Sequence, residues 1–263
     1  MSIRPLFVAA AALLATLGLD QPAYPAAASY TRLADYVLRS PVIVRATISK
    51  VQRLSSRNAP GLASGQARLL LTVTTEAALV APGPVPAQMS WLLDVPLDAR
   101  GRVPDLRGQR IMASLEEPDA QGRTRLTGPE AQLAWSEALE ARLRQIATEA
   151  RSGTVPEVTG VTNGFRVAGT LPGESESQFF LSTRDGKPLT LVMLERPGQV
   201  RSIAVASGDI IDESATSVKP ETLLWYRLAC GLPRELPRTA GGNDPALANA
   251  WIGIMTSLGP CER

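Results

Sequence analysis

Val42, Val44, Ala46 and Ile48 alternate with more polar neighbours in VIVRATISKV, the period-2 signature of a strand with one buried face. Further strand-like runs follow at Arg68–Leu79, Gln88–Val95, Arg110–Leu115, Thr124–Thr127 and Gln132–Trp135. The spacers APGPVPA, DARGRVPDLRG and EPDAQGR between them carry the Pro, Gly and Asp that turns require. A helical period frames this block. In SYTRLADYVLRS, Tyr30, Leu33 and Val37 share one face before Pro41 ends the run; in SEALEARLRQIATEAR (Ser136–Arg151), Leu139, Leu143, Ile146 and Ala150 do so before Gly153. Glu140 stands one turn before Arg144, the spacing of a helical ion pair.

Past SGTVPE the period returns to two, with strands predicted at Val158–Val167, Gln178–Ser182, Leu189–Leu194 and Val200–Ala206, joined by the hairpin sequences TRDGKP and ERPGQ. Two helices close the chain. The first is predicted from Pro220 to Ala229 with Gly231 as its stop, the second over Asp244–Leu258 with Asp244 as N-cap, Pro245 first and Gly259 beyond the end. Leu223, Leu224, Trp251 and Met255 are expected to face one sheet. The fold class is therefore mainly β with flanking helices (α+β), in two β-rich domains. Residues 29–153 form a small antiparallel barrel or sandwich with flanking helices, and 154–263 a β-meander with a two-helix tail.

With 44% hydrophobic and 20% charged residues the chain can bury a core, and its four tryptophans, all set among apolar neighbours, are expected inside it. At the start, MSIRPLFVAAAALLATLGL places Arg4 before an uncharged run from Leu6 to Leu19, followed by small residues up to Ala28. That layout predicts a signal peptide over 1–28, hence a periplasmic or secreted protein without stable membrane insertion once the signal is cleaved. In such a compartment the two cysteines, Cys230 and Cys261, pair by default. Each follows one of the C-terminal helices. A tight antiparallel hairpin would hold them about 20 Å apart, whereas a loop running back along the helix would bring them within the roughly 7 Å that a disulfide needs. The stretch GLPRELPRTAGGND is long enough for the second arrangement.

The chain contains no histidine. Ser-His-Asp and Cys-His nucleophile systems, HExxH and mixed Cys/His zinc sites are thereby excluded. SxxK, GxSxG, GxxxxGK and GxGxxG are missing as well. No catalytic, cofactor-binding or metal-ligating residue is assigned, and no cofactor is expected. Two acidic clusters remain as candidate chemistry: Glu174 with Glu176 in LPGESESQ, and Asp209, Asp212 and Glu213 in SGDIIDES. Neither has the spacing of a calcium loop, and both sit in turn-like sequence. The net charge is +2 with the basic residues dispersed along the chain, which gives no sign of nucleic acid as a partner.

Residues 34 to 130, with the strand entry Gly108, Gln109, Arg110 after a long strand and a Pro/Gly turn, resemble in layout the OB-like barrels of netrin-type and inhibitor-type secreted modules, without their cysteines. The ending, WYRLACGLP (Trp225–Pro233) and LGPC (Leu258–Cys261), resembles uncharacterised exported proteins of Gram-negative bacteria. That resemblance implies export and a paired disulfide, and brings no activity with it. Two functions are expected in consequence: an exported non-enzymatic protein binding a protein or cell-envelope partner, or a carboxylate-dependent hydrolase or small-ligand or carbohydrate-binding protein using Glu176, Asp209 or Asp212.

Overall fold

The computed structural model describes residues 28–207 and 215–262. The apolar N-terminal run and the acidic residues Asp209, Asp212 and Glu213 lie outside the described residues. The chain enters through α1 (Tyr30–Leu38), where the Ser29 hydroxyl accepts the backbone N–H of Arg32 and so caps the first turn. Pro41 then separates it from the first sheet.

That sheet holds β1 (Val42–Arg53), β2 (Gln66–Val80), β3 (Gln88–Pro96), β4 (Arg110–Leu115) and β5 (Gln132–Ala134), all antiparallel in the spatial order β3-β2-β1-β4-β5. It curls into a half-barrel. Register shifts in β1 between Ile43 and Val44, Arg45 and Ala46, and Ile48 and Lys50 give the extra twist that bulges supply. The predicted strand Thr124–Thr127 is not formed as such. Its backbone is shared between two neighbours: Ser90 N–H donates to Gly122 O and Thr124 N–H to Ser90 O on the β3 side, while Leu115 and Leu126 bridge on the β4 side. Gly122 makes this approach possible, since with φ of 73° any Cβ there would stand 2.4 Å from Gln88 O. Inside the curl pack Val44, Ala46, Ile48, Leu69, Leu71, Val73, Met89, Trp91, Ile111 and Ala113.

The second sheet contains β6 (Val158–Ala168), β7 (Ser175–Thr183), β8 (Leu189–Glu195), β9 (Ser202–Ser207) and β10 (Thr216–Ser217), a meander in the order β10-β9-β8-β7-β6. Val200, expected to open a strand, instead lies in the turn before β9 and is 95% exposed. The turn is set by Pro197 and Gly198. One face of the meander, with Phe179, Leu181, Leu189, Leu191, Met193 and Val205, is covered by α4 (Pro245–Leu258) through Trp251, Ile254 and Met255.

Between the two sheets lies a helical layer of α1, α2 (Glu137–Ser152) and α3 (Leu223–Gly231). The N-cap of α3 is Thr222, whose hydroxyl accepts from Trp225 N–H and donates to Lys219 O, so Pro220 precedes the helix instead of opening it. Leu223 and Tyr226 turn to α1 and α2, with Leu143, Ile146 and Met112, while Leu228 and Ala229 turn to the meander. Leu223 thus belongs to the middle layer and not to the sheet face expected for it. The loop after α3 returns, as the disulfide requires: Trp225 Nε1 donates to Leu258 O, and Cys230 and Cys261 are bonded with their Cα atoms 5.1 Å apart. Of the tryptophans, Trp91 and Trp251 are fully buried and Trp135 and Trp225 half-buried against the middle layer.

Candidate binding surface

Both described members of the acidic clusters are engaged locally. Glu174, in the β6–β7 turn, pairs with Arg196 at 3.0 Å, and Glu176 on β7 accepts from Gln178 Nε2 at 2.6 Å. The most perturbed carboxylate is Glu140, which sequence reasoning paired only with Arg144. It is buried beneath α2, on the outer side of the half-barrel, and accepts from Trp135 Nε1 (2.7 Å), Arg45 Nη1 (2.8 Å) and Arg144 Nη2 (2.7 Å). Burial alone would push its carboxyl up; the three donors and the Arg45 charge outweigh that and hold it down to about 2. Arg45 also stands 3.0 Å from Glu76, which receives Arg110 at 3.1 Å, and the Arg110 guanidinium lies over the Trp135 ring at 4.7 Å. Every oxygen of Glu140 is occupied by protein. This network clamps α2 and β5 onto β1 and β2 and leaves no position for a substrate proton. Glu195, between Arg166 (2.6 Å) and Arg201 (2.8 Å), is a second clamp of the same kind at the end of β8. Among the described residues no group of three or more His, Cys, Asp and Glu is placed to hold a metal ion.

The sequence disperses its basic residues; the fold gathers them. The turn between β1 and β2 and the long connection from β3 to β4 emerge at one end of the half-barrel. They are tied there by Leu54 N–H to Arg68 O, Leu97 N–H to Gly65 O and Gly108 N–H to Ile48 O. Residues 50–68 and 94–107, which make that end, contain Lys50, Arg53, Arg57, Arg68, Arg100, Arg102 and Arg107 against Asp94, Asp98 and Asp105, a net of +4. The carboxylates are spent on shaping the end. Asp94 takes both nitrogens of the Arg68 fork across the strands at 2.7 Å each. Asp98 accepts the backbone N–H groups of Arg100 and Arg102 and the Arg102 guanidinium, contacts that hold its carboxyl below the usual range. Asp105 accepts the Arg107 N–H. Lys50, Arg53, Arg57, Arg100 and Arg107 are left exposed, with no side-chain ion pair among the described residues. The chain matches no protein-family profile and no curated protein.

The opposite end carries no such excess of cations. There a shallow cleft of about 590 Å³ is lined by Glu116, Glu117, Asp119, Arg123 and Arg125, and a neighbouring groove of about 330 Å³ runs between Pro82–Pro86 and Glu117–Ala120. Asp119 repeats the Asp98 turn, accepting the N–H groups of Gln121 and Arg123 and pairing with the Arg123 side chain at 2.8 Å. Glu116 and Glu117 remain exposed. Sequence reading missed the basic end because its unpaired cations come from two segments, 50–57 and 100–107, more than 40 residues apart; the signal available was the recurring Arg within the turn sequences SSRN and DARGRVPDLRG.

Proposed function

We propose that this chain is an exported, non-enzymatic protein that binds a protein or cell-envelope partner, and that it does so through the basic end of its half-barrel. The observation that carries the reading is the set of five exposed cations without counter-ions on the end of β1 and the two neighbouring loops, where the nearby carboxylates are already engaged. A folded surface that keeps such charges unneutralised bears the self-repulsion they cause, and an anionic partner relieves it. Export is supported by the N-terminal layout, the disulfide, and the likeness of the cysteine-bearing ending to exported proteins. No described helix is long and apolar enough to cross a membrane.

The test is site-specific photo-crosslinking in cells that export the protein, with the probe at Ser56 or Ala99 in the basic loops and at Ala120 at the far end. Discrete adducts from the first two positions, lost in the triple variant Arg53→Gln/Arg57→Gln/Arg107→Gln, are expected. Equal adducts from all three positions, or none from any, would reject the reading.

A further inference from the structure

We propose that the basic end is a peripheral docking surface for the phosphate headgroups of an anionic bilayer. The inference rests on the function proposed above and names its partner. Four of the five unpaired cations are arginines, whose planar fork matches phosphate oxygens in a way a lysine ammonium does not. They are presented by loop tips and a strand end, not inside a cleft, so they meet a plane more readily than a pocketed ligand. The surroundings also decide against other anions. No aromatic residue stands between Tyr36 and Trp91 or between Trp91 and Trp135, so these loops hold no stacking platform for unpaired bases. They equally lack the Tyr or Trp anchors around which protein interfaces concentrate their energy. Of the larger apolar residues in these loops, Leu97, Val103 and Leu106 pack inward against the half-barrel core, and Leu54 and Leu62 are half-buried. What remains is a charged rim without a shape-specific centre, which suits fluid headgroups held by charge alone. The far end adds direction, because its cleft sets two guanidiniums against three carboxylates and so offers the bilayer no cation excess.

The experiment is co-sedimentation of the full chain with vesicles of equal phosphatidylglycerol and phosphatidylcholine, against vesicles of phosphatidylcholine alone. Wild type is compared with Arg53→Gln/Arg57→Gln/Arg107→Gln and with Arg125→Gln/Lys219→Gln/Arg238→Gln, which removes three exposed cations elsewhere. All three proteins share one N-terminus, so any membrane contact made by residues 1–27 is common to them. Partitioning onto the anionic vesicles should fall about 100-fold in the first variant, change only a few-fold in the second, and collapse in roughly 0.5 M salt. Equal binding to both vesicle types, or equal loss in both variants, would overturn the proposal. Variant-sensitive protein adducts at Ser56 without vesicle discrimination would overturn bilayer docking yet leave the binding surface standing. Loss of both signals would sink both readings.

Discussion

Glu140 illustrates how much one side chain can be asked to hold. Its oxygens join Arg45 of β1, Trp135 beyond β5 and Arg144 of its own helix, so Glu140→Ala leaves the half-buried Arg45 with Glu76 alone as counter-charge and the Trp135 indole N–H without its acceptor. A loss of about 2–3 kcal/mol is expected in denaturant unfolding. The pH dependence follows from the depressed carboxyl. Its folded value of about 2 lies below the ordinary 4.5, so the stabilisation is complete above about pH 5 and disappears as pH falls through about 2. The wild-type advantage over Glu140→Gln should therefore shrink steadily between those limits, and a difference that stays constant down to pH 2 would contradict this assignment. Tyr30 poses the reverse case. Its buried hydroxyl has no hydrogen-bond partner among the described residues, and burial pushes its ionisation far up. Tyr30→Phe should raise stability by about 1 kcal/mol, keeping the edge-on contact with Trp225 at 6.0 Å; a lowered melting temperature would mean that the hydroxyl has a partner after all. Only the Glu140–Arg144 half of this chemistry was legible in sequence. Local spacing encodes an i,i+4 pair, whereas Arg45 reaches Glu140 across 95 residues through strand twist.

At the scale of elements, long periodic segments were readable and short shared ones were not. β1, β2, β3 and α2 stand within two or three residues of where alternation and capping place them, because each buries a continuous apolar face. The Thr124–Thr127 segment misled because its backbone divides its bonds between β3 and β4, a partition fixed by the neighbours' curl and not by its own composition. Gly122 is the residue on which that partition turns. Gly122→Ala should cost about 2 kcal/mol or more and expose the β3 amide of Ser90 to hydrogen exchange, while amides of β7 stay protected. α3 was misplaced for a different reason: Pro220 is a plausible first-turn residue, but Thr222 offers the hydroxyl that actually caps Trp225 N–H. The helix starts at Leu223, three residues later than predicted, and Leu223 packs in the middle layer. The basic end was illegible for a related cause, since nothing in a linear reading brings residues 50–57 beside 100–107.

For the whole molecule, α3 links the sheets because Leu223 and Tyr226 belong to the middle layer and Leu228 and Ala229 to the meander core. Two β-rich halves were expected from the sequence; their sharing of a helix predicts that both sheets unfold in a single transition, with intrinsic fluorescence and far-UV circular dichroism coinciding. Separate midpoints would instead show the halves to be energetically independent. The Cys230–Cys261 bond closes a separation of 31 residues and is worth about 3–4 kcal/mol on the chain-entropy account. The double substitution Cys230→Ser/Cys261→Ser should lower stability by that order at neutral pH.

Ser29 and Thr31 donate to the carbonyl of Glu262, so the described chain begins and ends at one point. Under tension applied between those two points, that junction is the first to part, and the load then passes along the tail to a covalent stop at Cys261. The loop between Cys230 and Cys261 lies behind the stop and bears no force. Its hidden contour, roughly 100 Å at the span of an extended chain, would be missing from the extension of a single oxidised molecule held in an optical trap. Adding a reductant should release it, as a lengthening of that size.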